Sequence, residues 1–305
     1  MESYRDFHAK ILLFGEYSVI CNSMGLTMPY ARYSGRFQRE GAPSEEQRQS
    51  TESLRRFYVY LKQLAEKNEL PASLDLKAFK ADLDNDLYFE SGIPQGYGVG
   101  SSGALCAAVF DRYGKQKQNM DLPELKRIFV RMESWFHGIS SGLDPLISYL
   151  NKPLLIKNKD TLEITKVPEG LLSDRLTTFL VDTGKTGKTD NLVQMFFDKC
   201  RYYKFYKEIK KTLIPLNNSC IKKFTAGDIE AFIPEVKRLS AFFLEHFSPM
   251  IPERFQKFWE EGTGESTPYT LKLCGSGGGG FLLGFTTDFE AAKAKFSDYN
   301  LIEVR

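Results

Sequence analysis

The chain has 305 residues, of which 26% are charged and 42% hydrophobic, as is ordinary for a soluble globular protein. Its 41 Lys and Arg residues nearly balance its 39 Asp and Glu residues, and a net charge of +2 argues against a dedicated nucleic-acid-binding protein. No apolar run approaches the roughly 20 residues that span a bilayer, and the N-terminus lacks the apolar core of a signal peptide. We therefore expect a cytoplasmic protein that binds neither nucleic acid nor a membrane.

The five cysteines are scattered along the chain, and none belongs to a CxxC pair. An odd number of scattered cysteines indicates neither a disulfide framework nor a zinc site. We expect reduced thiols.

The first half of the chain predicts strands followed by helices. The segments 10–20 and 26–37 are rich in strand-forming residues. Asp121 and Pro123 are typical of a helix N-terminus. Helices are predicted over 54–69, 103–113, 122–137 and 143–150, and a further strand over 153–157.

The second half has long helical stretches between strands. Helices are predicted from about 191 to 224, from 228 to 260 with breaks near the prolines, and over 288–298, and strands over 176–182, 269–274, 280–285 and 301–305. This order predicts an α+β fold with a largely antiparallel sheet. We place the domain boundary so that one domain spans 1–165 and the other 166–305.

The glycine-rich loop from Pro94 to Ala104 reads PQGYGVGSSGA. Its glycines allow tight bends, and Ser101 and Ser102 stand where the next helix begins. Free amides and the helix dipole favour phosphate at such a position, and a serine hydroxyl there could reach a phosphate-bound magnesium ion. A flexible turn before a small-residue helix explains these residues equally well when they are taken alone.

Two other patterns suggest nucleotide loops but fit less well. The segment 182–189, DTGKTGKT, has Asp182 where the Walker A pattern requires glycine. Gly98, Gly100 and Gly103 form a GxGxxG match, but the polar segment before it, 90–95, does not predict the strand that a dinucleotide-binding fold requires. We favour neither interpretation.

A second glycine cluster, KLCGSGGGGF, occupies residues 272–281. It contains more glycine than a hairpin between two strands requires. One interpretation is a loose hairpin. The other is a backbone that lies against a bulky ligand.

Two carboxylates occur close together in the segment 133–144, ESWFHGISSGLD. One of them, Glu133 or Asp144, could hold magnesium while the other orients or deprotonates a hydroxyl group. A solvated helix residue and a helix cap are the alternative roles. For His137 we favour a role in packing or in lining the substrate site over metal binding, because no second histidine is near it in the sequence. Lys10 could stabilise an ionised Asp144 if it faces the same cleft.

Taken in order, these segments resemble the GHMP kinase superfamily, and within it the mevalonate kinases. The family's first signature resembles KILLFGEY at 10–17, and its phosphate loop, PxxxGLGSSA, resembles 94–103. Its HGxPSGxD signature is similar to 137–144, and its GxGGGG matches 275–280. The resemblance covers residues 10 to about 285.

The resemblance implies a two-domain α+β fold with the active site in the interdomain cleft, and ATP and Mg²⁺ as cofactors. It implies that Asp144 is the catalytic base or positioning group, with Lys10 beside it, and that Glu133 holds magnesium with Ser101 or Ser102. The implied ATP-binding residues are Pro94, Gly96, Gly98, Gly100, Ser101, Ser102 and Gly103. The implied acceptor-binding residues are Glu16, Tyr17, His137, Ser141, Thr189, Gly275 and Gly277.

The chain departs from the family pattern at several positions. Tyr17 stands where mevalonate kinases usually have histidine, and Gly-Glu-Tyr also resembles some phosphomevalonate kinases. Ser140 replaces the usual proline, while Val99 and Gly103 are mild changes. The change at Tyr17 weakens the identification of the acceptor.

The resulting expectation is an ATP-dependent kinase that phosphorylates the hydroxyl group of mevalonate. The alternatives are a related kinase for phosphomevalonate, a sugar or homoserine, and a catalytically silent member that binds a ligand. A decarboxylase relative is disfavoured because Glu133 and the SGxD context are typical of kinases. The sequence leaves open whether the protein is a monomer or a homodimer.

Overall fold

The computed structural model describes residues 4–39, 41–71, 73–167, 175–187 and 189–304. The strands are β1 (Phe7–Phe14), β2 (Gly25–Gln38), β3 (Tyr88–Ser91), β4 (Leu154–Ile156), β5 (Leu162–Ile164), β6 (Thr177–Asp182), β7 (Tyr269–Leu273), β8 (Phe281–Thr286) and β9 (Leu301–Glu303). The helices are α1 (Glu45–Glu66), α2 (Leu76–Asp84), α3 (Ser101–Tyr113), α4 (Leu122–His137), α5 (Leu143–Leu150), α6 (Thr189–Cys200), α7 (Tyr203–Glu208), α8 (Ile214–Ala226), α9 (Ile229–Phe247), α10 (Glu253–Thr263) and α11 (Phe289–Lys295). Among the described residues, no helix is both long and apolar enough to cross a membrane.

The chain divides into two compact units. The first comprises Met1–Lys10, Pro29–Pro94 and Gly100–Lys152, and the second comprises Ile11–Met28, Gln95–Val99 and Pro153–Arg305. These units are defined by packing, and the chain passes between them several times. The boundary that we place after residue 165 stays a prediction.

The first unit is built mainly of helices. One face of α1 is buried through Leu54, Phe57 and Leu61, as expected for an amphipathic helix. The small residues of α3 allow α5 to pack closely, and a Cβ atom at Gly103 would lie only 2.7 Å from the backbone carbon of Asp144. This close approach fixes the start of α5 against the start of α3.

The second unit contains a four-stranded sheet with the order β7-β8-β6-β9. Its strands pair antiparallel, with Leu180 opposite Leu283 and Ile302. Every residue of β7 and β8 is buried. The core beside this sheet includes Phe14, which is stacked on Phe285 with ring centroids 5.7 Å apart. The predicted α+β class with antiparallel pairing is therefore confirmed.

A second sheet has the order β1-β2-β4-β5, with β3 also paired to β2. In the first unit, Gly35–Gln38 of β2 pairs antiparallel with β3. In the second unit, Gly25–Thr27 of β2 pairs antiparallel with β4.

Most predicted elements are present, but several bounds differ. The helix predicted from residue 54 begins at Glu45, because Ser44 and Gln47 form a reciprocal capping box. The helix predicted over 191–224 is divided into α6, α7, a π-helical turn and α8. The sequence analysis did not predict α2, β3 or β5. The short β3 and β5 have too few residues for a clear alternation of burial.

Candidate active site

The N-terminus of α3 forms one wall of the candidate site, in the first unit. Gly100 precedes the helix with a φ of +82°, a left-handed conformation that favours glycine. Among the hydrogen bonds of the described residues, no side chain caps this helix end. Its first amides therefore point toward the loop with the partial positive charge that favours a phosphate group.

Lys10 and Asp144 form an ion pair beside this helix end. The Nζ atom of Lys10 lies 3.0 Å from Oδ1 of Asp144. The lysine side chain is 7% exposed, whereas the aspartate side chain is 33% exposed. A Cβ atom at Gly100 would contact both side chains, so the pair lies directly against the start of α3. The aspartate thus keeps an accessible edge while its charge is held by a buried lysine.

Glu133 lies behind this pair on α4 and is only 4% exposed. Its carboxylate accepts hydrogen bonds from the hydroxyl of Ser140 and, at 3.5 Å, from that of Ser102. Burial raises its pKa from 4.5 to about 8, and the like charge of Asp144 adds to the increase. The Ser140 hydroxyl, the Lys10 charge and the Ser102 hydroxyl oppose this shift.

The loop between α4 and α5 carries Asp144 into the site. The Ser140 hydroxyl oxygen accepts a hydrogen bond of 2.9 Å from the amide of Gly142, and Ser141 accepts one of 3.3 Å from the amide of Leu143. A Cβ atom at Gly142 would lie 2.6 Å from the carbonyl oxygen of Lys126 on α4. Glycine at this position, with a φ of +69°, therefore lets the loop lie directly against α4.

The donor set of this cluster fits a magnesium ion. Magnesium prefers hard oxygen ligands, usually one or two carboxylates together with phosphates and water. Glu133 supplies a buried carboxylate, and Ser102 supplies a hydroxyl at the N-terminus of α3. Ser101 is the first residue of the same helix. A divalent cation here would also offset the repulsion between Glu133 and Asp144.

In the second unit, the middle of the phosphate loop packs against two other glycine-containing loops. A Cβ atom at Gly98 would lie 2.3 Å from the carbonyl oxygen of Cys274, beside Gly275. The amide of Gly187 donates a hydrogen bond of 2.9 Å to the carbonyl of Gly96. The rejected Walker-like segment and the second glycine cluster are therefore parts of one packed group of loops, and the excess of glycine serves close backbone contacts.

Glu16 and Lys272 form a buried ion pair in the second unit. Their charged atoms are 2.5 Å apart, and the two side chains are 2% and 1% exposed. The Lys272 ammonium also donates a hydrogen bond of 2.9 Å to the carbonyl of Leu273. The carboxylate of Glu16, for which the resemblance implies acceptor binding, therefore has an internal partner.

Tyr17 is also buried inside the second unit. Its hydroxyl donates a hydrogen bond to the carbonyl of Ser276, in the second glycine cluster. Its ring stacks on Phe247 at 5.5 Å and packs against Phe196 at 5.1 Å. Burial raises the pKa of the phenol, with a smaller contribution from Glu16. Acceptor binding by Tyr17 stays a prediction, and the structure assigns its hydroxyl to the glycine cluster.

The remaining predicted residues fall into three groups. Gly275 and Gly277 lie in the glycine cluster, and Pro94 begins the glycine-rich loop. His137 ends α4 and Thr189 begins α6, but the side chains of both lie outside the described residues. Their implied roles in acceptor binding stay predictions.

Two residues of these clusters were not predicted to take part. Lys272 is the one charged residue among the apolar residues of β7, and such a residue requires a buried partner. That charge in an apolar strand was the available signal. Ser140 was noted only as a replacement for proline, and its bonds to Glu133 and Gly142 depend on the fold of the loop.

Residues 60–152 match the family described as GHMP kinases N terminal domain. A search of curated proteins finds no match. An L. major mevalonate kinase in complex with R-mevalonate is 16% identical, with a TM-score of 0.65 over 97% of this chain and 91% of that one.

Two further solved structures are similar to nearly the whole chain. A Streptococcus pneumoniae phosphomevalonate kinase in complex with phosphomevalonate and AMPPNP is 12% identical, with a TM-score of 0.64 over 99% of this chain and 100% of that one. A Lactococcus lactis galactokinase complexed with galactose is 14% identical, with a TM-score of 0.67 over 99% and 92% of the two chains. The chain has the fold of these kinases, and residues 60–152 match the family model of the GHMP kinase N-terminal domain.

Proposed function

We propose that the protein is an ATP-dependent kinase that transfers the γ-phosphate to a hydroxyl group of a small molecule. The observation that carries this proposal is the ion pair of Lys10 and Asp144 at the N-terminus of α3, with the buried Glu133 close enough to feel both charges. Phosphoryl transfer depends mainly on positioning and charge neutralisation, and this cluster supplies both.

Asp144 is suited to receive or orient the proton of the acceptor hydroxyl. Its carboxylate is accessible on one edge and is held by Lys10 on another. The ammonium of Lys10 lies 3.0 Å from one carboxylate oxygen, and a carboxylate is a suitable general base for a hydroxyl proton. The position of Asp144 in the first turn of α5 also favours a negative charge.

The start of α3 is suited to bind the phosphates of ATP. The amides at this end carry partial positive charge, and the glycine-rich loop before Ser101 leads the backbone close to them. Glu133 with Ser101 or Ser102 would hold Mg²⁺, which when bound supplies positive charge to the transferred phosphate.

Mevalonate is the acceptor that we propose. The order and spacing of the four motifs resemble mevalonate kinases, and a mevalonate kinase is among the solved structures with this fold. Similar structures also include a phosphomevalonate kinase and a galactokinase, so the acceptor must be tested directly. Homoserine completes the panel of small hydroxylated acceptors.

The proposal is tested by measuring ADP release with magnesium and ATP over this panel, with isolation of the phosphorylated product. We expect acceptor-dependent ADP release, with the highest kcat/KM for mevalonate. A higher kcat/KM for phosphomevalonate, galactose or homoserine would show that mevalonate is not the preferred acceptor. The proposal that the protein is a kinase would still stand. ATP binding without turnover on any acceptor would favour a silent ligand-binding protein.

A further inference from the structure

Ser140 lies at the junction of the two carboxylate-bearing elements of the candidate site. Its hydroxyl hydrogen is donated to Oε2 of Glu133, at the end of α4. Its hydroxyl oxygen accepts the amide hydrogen of Gly142, which directly precedes α5 and Asp144. One hydroxyl group thus uses both its donor and its acceptor capacity to link Glu133 with the loop that carries Asp144.

The link is directional, because the two bonds require the serine side chain in one orientation. The Glu133 carboxylate is nearly completely buried, so its orientation depends on the few groups that contact it. The bond from Ser102 is longer, at 3.5 Å. Ser140 is therefore the stronger of the two hydroxyl donors that hold this carboxylate.

We infer that Ser140 is a positioning residue that orients Glu133 toward magnesium and holds the α4–α5 loop at the spacing that Asp144 needs. The inference rests on the proposed function, in which Glu133 holds the ion. Groups that hydrogen-bond to a metal-binding carboxylate fix its orientation and tune the affinity for the ion.

The inference predicts a selective loss of magnesium affinity in Ser140→Ala. We expect the magnesium concentration that half-saturates nucleotide binding to rise roughly 10-fold or more, as is usual when a hydrogen bond to a metal ligand is removed. Nucleotide binding in EDTA should change less than twofold. The direct readout is the affinity for a fluorescent ATP analogue, titrated with magnesium and without turnover.

Ser134→Ala is the matched control. Ser134 follows Glu133 on the same helix, but its hydroxyl donates to the carbonyl of Val130 at 2.7 Å. The control therefore makes the same chemical change without touching the Glu133 carboxylate, and we expect a normal magnesium dependence.

Two further variants keep the test decisive if Ser140→Ala does not fold. Ser140→Thr retains the hydroxyl and should restore the wild-type magnesium dependence. Ser140→Cys retains a weak donor of similar size and should give an intermediate value. If Ser140→Ala, or Ser140→Cys where the alanine variant does not fold, has the same magnesium dependence as the wild type, the inference is wrong.

The same measurements separate this inference from the proposed function. If Ser140→Ala weakens magnesium binding but no acceptor is phosphorylated by the wild type, the positioning role stands and the kinase assignment fails. If the wild type phosphorylates an acceptor and Ser140→Ala binds magnesium normally, the kinase assignment stands and the positioning role of Ser140 fails. Nucleotide binding that is independent of magnesium in the wild type would contradict both.

Discussion

Two glutamates with the same burial have different neighbours in the two units. Glu16 and Glu133 are each 4% exposed. Glu16 lies 2.5 Å from the ammonium of Lys272, whereas Glu133 accepts hydrogen bonds from the hydroxyls of Ser140 and Ser102. Lys10 forms an ion pair with Asp144, and its charge also acts on Glu133.

Under the proposed function, Glu16 is a structural carboxylate and Glu133 is one that would bind a ligand. A buried charge is stable when an opposite charge lies beside it, as at Glu16. Hydroxyl groups orient a carboxylate but do not neutralise it. Burial, followed by the like charge of Asp144, raises the pKa of Glu133. A cation that arrives with its substrate would supply the missing charge at Glu133 and has no equivalent role at Glu16.

The largest effect is expected at Asp144, which faces the proposed chemistry. Asp144→Asn should lower kcat by roughly 10²–10⁴-fold, because the amide cannot take up the proton of the substrate hydroxyl group. ATP affinity should stay nearly unchanged. Steady-state kinetics with a separate measurement of ATP binding tests this, with the exposed Asp160→Asn as a control. Normal turnover in Asp144→Asn would remove this residue from the mechanism.

When Glu16 loses its partner Lys272, we expect the stability of the fold to fall, and this effect does not act through the catalytic step. Lys272→Met should lower the free energy of unfolding by about 3–5 kcal/mol, since it leaves a buried carboxylate uncompensated. The double variant with Glu16→Gln should recover part of this loss because no unpaired charge remains. Urea denaturation of the two single variants and the double variant measures the coupling. Additive losses would show that the two charges are independent.

The pH dependence of stability should distinguish Glu133. In the folded, metal-free protein its pKa is about 8, above the 4.5 of an exposed glutamate, so the folded state binds more protons between these values. Stability should therefore fall as pH rises from 4.5 to 8. Glu133→Gln should remove the fall in stability that Glu133 causes between pH 4.5 and 8. Thermal unfolding in EDTA, measured across this pH range, tests this. An identical pH profile in the variant would contradict the raised pKa.

The smallest effect is expected at Tyr17. Tyr17→Phe keeps the ring between Phe196 and Phe247 but loses the bond to the Ser276 carbonyl, at a cost of about 0.5–1.5 kcal/mol. Because this bond holds the glycine cluster, we expect KM for mevalonate to rise more than KM for ATP. The exposed Tyr206→Phe is the matched control. A larger change in the KM for ATP would place Tyr17 nearer to the nucleotide.

Local signals in the sequence predicted much of the fold and part of the site. Asp121 and Pro123 specified the start of α4, and the structure places it there with a reciprocal cap from Glu124. The proximity of Lys10 to Asp144 followed from the motif resemblance, and the structure brings the two together.

Features that depend on long-range packing could not be predicted in the same way. Lys272 lies 256 residues from Glu16, and the Tyr17 hydroxyl meets a carbonyl 259 residues away. Neither pairing leaves a local pattern in the sequence. The function of Ser140 depends on the turn of the α4–α5 loop, which sequence composition does not specify.

The central claim is tested most directly by following transfer of phosphate from γ-labelled ATP to mevalonate, with wild-type protein and Asp144→Asn in parallel. We predict labelled product from the wild type in the presence of magnesium, and a rate roughly 10²–10⁴-fold lower from the variant. Equal rates from the two proteins, or no labelled product from the wild type with mevalonate or any other acceptor of the panel, would contradict it.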